Sequence, residues 1–84
     1  MVMRFAHGFA TSTATIAFTL PSSGYTRLTV VNARGEEIVR LLDGHLASGE
    51  HTATVDVDDL AVGLYYCRII AGDVTATVPL VVTR

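Results

Sequence analysis

The sequence predicts a small all-β domain, and three observations carry that expectation. Valine and threonine are its commonest residues, eleven of each among 84, and their branched side chains suit the pleated surface of a sheet. Apolar and polar residues alternate over short runs, the period of a strand with one buried face. Glycine, asparagine, aspartate and proline separate those runs at regular intervals, the spacing of a sandwich or barrel. A chain of this length makes one domain, with core enough to fold but little material for a deep cleft.

The elements follow in order. Residues 1–12 are read as an N-terminal arm and residues 13–84 as the domain. From Thr13 to Leu20 the side chains of Ile16, Phe18 and Leu20 share one face and those of Thr15, Ala17 and Thr19 the other. Pro21-Ser22-Ser23-Gly24 ends this strand with turn chemistry. Thr26 to Asn32 repeats the alternation with Leu28 and Val30 inward, and Gly35 within Asn32-Ala33-Arg34-Gly35-Glu36 supplies the positive φ that a tight hairpin needs. Ile38 to Leu42 is a third run, ended by Asp43-Gly44, with a short connection through Leu46 and Ser48-Gly49. Glu50 to Asp56 is a fourth strand, with His51, Ala53 and Val55 on one side. After an acidic turn, Gly63 opens the run Leu64 to Ile70, which turns at Ala71-Gly72-Asp73 into Val74 to Val82. Pro79 cannot donate a ladder hydrogen bond, so the last run is either an edge strand or two strands broken there, which would make seven.

Composition excludes several functions. The formal charge is −2, from eight acidic residues against six arginines with no lysine. No basic stripe is present to neutralise a phosphate backbone, so nucleic acid is not an expected partner. No apolar run reaches the roughly 18–20 residues that span a bilayer, and Met1 to Phe5 lacks the apolar centre of a secretory signal. Membrane insertion is not expected. The single cysteine, Cys67, cannot close a disulfide within the chain.

Chemistry-bearing residues are sparse. There is no Gly-x-Ser-x-Gly elbow, no phosphate-cradling glycine loop and no pair of carboxylates in an apolar setting, so no catalytic residue, no cofactor and no enzyme activity are expected. Asp56, Asp58 and Asp59, with Asp73 from another loop, have the oxygen chemistry of a calcium site. Aspartates in turns also accept hydrogen bonds from the amides ahead of them, and that reading is favoured. His7, His45 and His51 lack metal-ligand spacing, so no metal site is expected. His51 reads as a half-buried packing residue with one bonded ring nitrogen. Cys67 falls on the same face as Tyr65 and Ile69 and reads as a buried small hydrophobe. Tyr65, two residues before Cys67 and just after the corner Asp59-Leu60-Ala61-Val62-Gly63, stands where immunoglobulin-like domains keep a structural tyrosine whose hydroxyl bonds back across the corner.

Four segments, in this order and spacing, carry a family resemblance. They are Thr15-Ile16-Ala17-Phe18-Thr19-Leu20-Pro21, Leu28-Thr29-Val30-Val31-Asn32-Ala33-Arg34-Gly35-Glu36-Glu37-Ile38, Leu46-Ala47-Ser48-Gly49-Glu50-His51-Thr52 and Leu60-Ala61-Val62-Gly63-Leu64-Tyr65-Tyr66-Cys67-Arg68-Ile69. Together they resemble the C-terminal sorting domain of proteins exported by the type IX secretion system, a relative of the immunoglobulin-like module of flagellar hook-capping proteins. The resemblance covers about residues 13–84. It implies an immunoglobulin-like antiparallel β-sandwich of about seven strands at the end of a larger secreted or cell-surface protein, serving as an address read by the secretion apparatus.

The expected mode of action is therefore docking to a protein partner. The last run, Val74 to Thr83, carries one proline and no charge, whereas sheet edges are ordinarily guarded by charge. Val81 and Val82 point to opposite faces, so one of them needs cover from beyond the core. The docking residues expected are Val78, Pro79, Leu80, Val81, Val82, Thr83 and Arg84. A different reading is a self-assembling structural subunit, a decoration or filament protein, in which the same strand joins copies into an oligomer.

Overall fold

A computed structural model of the chain describes the backbone of residues 2–5, 9–10 and 12–83, and the side chains of residues 12–83. Among the described residues, eight strands follow one another without a helix: β1 (Val2–Phe5), β2 (Phe9–Ala10), β3 (Thr13–Leu20), β4 (Gly24–Asn32), β5 (Glu37–Leu46), β6 (Gly49–Asp56), β7 (Gly63–Ala71) and β8 (Val74–Val82). They form a three-stranded sheet in the order β1-β3-β6 and a five-stranded sheet in the order β2-β8-β7-β4-β5. All pairings are antiparallel except the two-residue match of β2 to β8. The fold class is the expected sandwich.

Its core lies between the sheets, where the alternation predicts it. Ala14, Ile16, Phe18 and Leu20 from β3 meet Leu28 and Val30 from β4, Tyr65, Cys67 and Ile69 from β7, and Leu80 and Val82 from β8. On β6, Val55 is buried and His51 lies against Phe18, their rings stacked 5.4 Å apart. The loop after β6 contributes Val57 and Leu60 to the same core. Its backbone is held by the Val57 amide, which donates to the Ser12 carbonyl at 2.8 Å, and by the Leu60 amide donating to the Val57 carbonyl at 3.0 Å. Strand alternation alone does not reveal these two residues, because they lie outside any strand.

Six long strands make up the sandwich, rather than the seven of the expectation, because Pro79 does not break β8. The β7–β8 ladder runs without a register shift from Ala71↔Val74 to Gly63↔Val82, with Pro79 opposite Tyr66. A proline fits an unbroken antiparallel ladder where its nitrogen faces away from the partner strand, since backbone polar groups alternate between the two sides. The same alternation turns the backbone of Thr75, Thr77 and Val81 away from β7. At Val81 that side is met by β2, through Phe9↔Val81 and Ala10↔Val82. Among the described residues, no strand pairs with it from Val74 to Leu80.

Strand β5 also differs from expectation. Asp43-Gly44 was expected to end it, yet both residues pair with β4, Asp43 opposite Arg27 and Gly44 opposite Thr26. Gly44 is not among the glycines with positive φ, so the dipeptide is accommodated as ordinary strand. The irregularity falls elsewhere, in two register shifts that leave Leu41 and Ile38 as extra residues on the edge strand. Bulges of this kind twist an edge and blunt it against further pairing. The β4–β5 hairpin closes at Gly35, φ 85°. There the Asn32 side-chain oxygen accepts from the Arg34 and Glu36 amides at 2.9 and 3.0 Å.

Candidate functional site: the outer face of the five-stranded sheet

Every inward residue of β7 and β8 has an outward neighbour, and those neighbours are unusual. Leu64 stands opposite Val81 and Tyr66 opposite Pro79, so two cross-strand pairs form an apolar block on the face that points away from the core. Leu64 is 43 % exposed and Val81 39 %, with Val62 at 63 % beside the entry to β7. Val31, opposite Tyr66 on β4, lies on this outward face too and is nonetheless buried. The same is true of Thr29, opposite Arg68. Side chains of the flanking strands therefore cover the centre of the outer face.

Along β7 the next outward position after Tyr66 is Arg68, and diagonally across from it on β4 is Arg27. The Nε atoms of both are shielded from solvent and have no hydrogen-bond partner. The other two arginines with described side chains are engaged. Arg40 donates to Asp43 at 2.8 Å and to Glu37 at 3.3 Å, and Arg34 lies 3.6 Å from Glu36. Asp43 is the direct cross-strand neighbour of Arg27 but is held by Arg40 instead. Among the described residues, charge on this face is thus compensated on β5 and uncompensated at Arg27 and Arg68.

Of the expected docking residues, Pro79 and Val81 lie on the outward face, Val78 and Thr83 are half-buried, and Leu80 and Val82 are fully buried in the core. Arg84 lies outside the described residues. Sequence reading did not single out Leu64, Tyr66, Val62, Arg27 or Arg68. The signal present in the sequence is that Leu64 to Ile70 is apolar or aromatic on both of its alternating faces, apart from Arg68.

The other candidates are structural in their surroundings. The Tyr65 hydroxyl donates to the Ala61 carbonyl at 2.7 Å, tying the start of β7 to the corner before it. Cys67 is fully buried, and burial pushes its thiol pKa up to about 12, which removes the thiolate at ordinary pH. His51 Nε2 is 2.7 Å from the Ala47 carbonyl oxygen. His45 is exposed on β5, while His7 lies outside the described residues. In the acidic turn, the Asp58 amide donates to Asp56 Oδ1 at 3.0 Å. Asp73, the further oxygen ligand that a calcium site would draw on, lies apart from that turn. It follows the far end of β7, a nine-residue strand that separates the two by roughly 25–30 Å. Among the described residues no three His, Cys, Asp or Glu side chains converge on a metal position, and no helix is long and apolar enough to cross a membrane. A depression of about 430 Å³ lies between the Pro21–Gly24 turn and the β7–β8 turn, bordered by Tyr25, Ile70 and Val74.

A family model described as the secretion system C-terminal sorting domain matches residues 10–83, nearly the whole chain. The chain belongs to that family. Domains of this family mark proteins for export and cell-surface attachment through type IX secretion. They are sorting signals, not enzymes, and are recognised by protein machinery. Neither the curated proteins nor the solved structures yield a match to this sorting domain.

Proposed function

We propose that this sorting domain, residues 13–84, works by presenting its C-terminal strand and the adjoining outer face to a protein of the secretion apparatus. The observation that carries this reading is the state of β8: it bears no charge, and among the described residues no strand pairs with its outer edge from Val74 to Leu80. Free amides and carbonyls in a row offer a template for an added strand. Within the segment Val78 to Arg84 the roles divide. Leu80 and Val82 anchor β8 to the core, Pro79 faces outward within the unpaired stretch, and Val81 faces outward where β2 meets the strand.

The test is export of a reporter carrying the whole chain at its carboxyl end, in a type IX-competent cell. Thr77→Pro removes an outward amide while sparing the ladder to β7, so the domain should keep its melting temperature to within a few degrees. Export should fall severalfold. Undiminished export by a folded Thr77→Pro domain would remove edge pairing from the mechanism. The same open edge supports a second reading, pairing between copies as a structural subunit. Light scattering decides it: a monomer at all concentrations leaves only the first reading.

A further inference from the structure

The open edge explains how a partner backbone is held, but not what side chains that partner presents. We infer that the outer face of the five-stranded sheet selects a partner segment in which apolar side chains sit next to carboxylates, with Arg68 and Arg27 as the residues that read the charge. This rests on the docking reading above and deepens it.

Three observations lead there. The apolar block of Leu64, Tyr66, Pro79 and Val81 reaches the unpaired stretch of β8 at Pro79, so a segment that enters at that edge and runs across the outer face over β7 toward β4 lies on it. Next along the face come two arginines without a carboxylate partner among the described residues, while Arg34 and Arg40 each have one. Burial of both Nε atoms against the sheet leaves the terminal guanidinium nitrogens as the part within reach of an incoming carboxylate, which favours end-on, charge-assisted pairing. A cationic partner would meet repulsion at Arg68 and Arg27. A purely apolar one would leave these two charges partly desolvated and unpaired, a costly arrangement. A second copy placed head to tail, with its β5 against β8, is disfavoured by the bulges and the mutually satisfied ion pairs of that edge strand.

The test uses the isotope-labelled 84-residue chain and three short synthetic peptides in which leucine alternates with aspartate, asparagine or lysine. The aspartate peptide should bind at least about tenfold more tightly than the asparagine one, a difference near 1.4 kcal/mol, and the lysine peptide should not bind. Amide shifts should centre on Leu64, Tyr66, Arg68, Thr77 and Val81, and added salt should weaken binding. Arg68→Gln and Arg27→Gln should erase the preference for aspartate, while Arg34→Gln should leave it. Equal affinity for the three peptides, no binding, or shifts centred on the β4–β5 hairpin would overturn the inference. So would a dimer whose interface maps to these same amides. The measurement is independent of export. A reporter that is not exported, with peptide selectivity intact, removes the sorting mechanism alone; an exported reporter without selectivity removes this inference alone.

Discussion

The two faces of the β7–β8 ribbon are built from similar residues and meet opposite fates. On the inner face, Cys67, Ile69, Leu80 and Val82 are fully buried, and Tyr65 nearly so. On the outer face, Leu64, Val81 and Pro79 keep substantial contact with water, and Arg68 stands among them without an anion among the described residues. The contrast shows that hydrophobicity marks two different things in this ribbon. Inside, it holds the sheets together; outside, it leaves a surface that the described residues do not fully cover.

The largest effect that would sharpen this contrast is on stability. Leu80→Ala opens a cavity between the sheets and should cost about 2–5 kcal/mol, whereas Val81→Ser, one residue on, should change stability by no more than about 0.5 kcal/mol. Urea denaturation of the two variants measures both. Equal losses would mean that the outer face is packed like the core.

Cys67 tests the inner face through pH. Burial raises its folded-state pKa well above the ordinary thiol value, to about 12, so the folded chain holds the proton more tightly than the unfolded one. The stability linked to this thiol is fully present below about pH 9 and falls as pH rises from about 9 toward about 12. Cys67→Ala should remove that part of the alkaline decline in the urea midpoint. Tyrosine ionisation affects both proteins and cancels in the comparison. An identical decline in the two would place the thiol in contact with water.

Smaller effects concern how the ribbon is fixed at its corner and bounded at its far side. Tyr65→Phe keeps the ring in the core but deletes the bond to the Ala61 carbonyl, and should cost about 1 kcal/mol in urea denaturation. Arg40→Ala breaks exposed pairs with Glu37 and Asp43 and should cost only a few tenths of a kcal/mol, vanishing at high salt. A larger, salt-resistant loss would show that the compensated edge contributes to the fold and does not merely neutralise a surface.

How much was legible in advance varies with how local each cause is. The hairpin at Asn32 to Glu36, the alternation of β3 and the inward set of β7 depend on neighbours in sequence, and they can be read there. The extension of β5 through Asp43-Gly44 cannot, because its cause is the opposing Thr26 and Arg27 of β4. Leu64 and Tyr66 are likewise silent as surface residues until β8 brings Val81 and Pro79 beside them. Arg27 and Arg68 become a charge feature only once Asp43 is seen to be held by Arg40.

By itself the sequence determined the sandwich class, the core faces of the long strands and the family, because period-two patterning, turn chemistry and ordered motifs are properties of adjacent residues. Tertiary structure alone decided the strand order, which edge of β8 is left open and which arginines lack partners. Those depend on what lies across a ladder, and residues that meet across a ladder come from distant parts of the chain. The charge-free final strand was visible from the start, but that its outer edge is unpaired up to Leu80 among the described residues follows only from where β2 begins, with Phe9 opposite Val81.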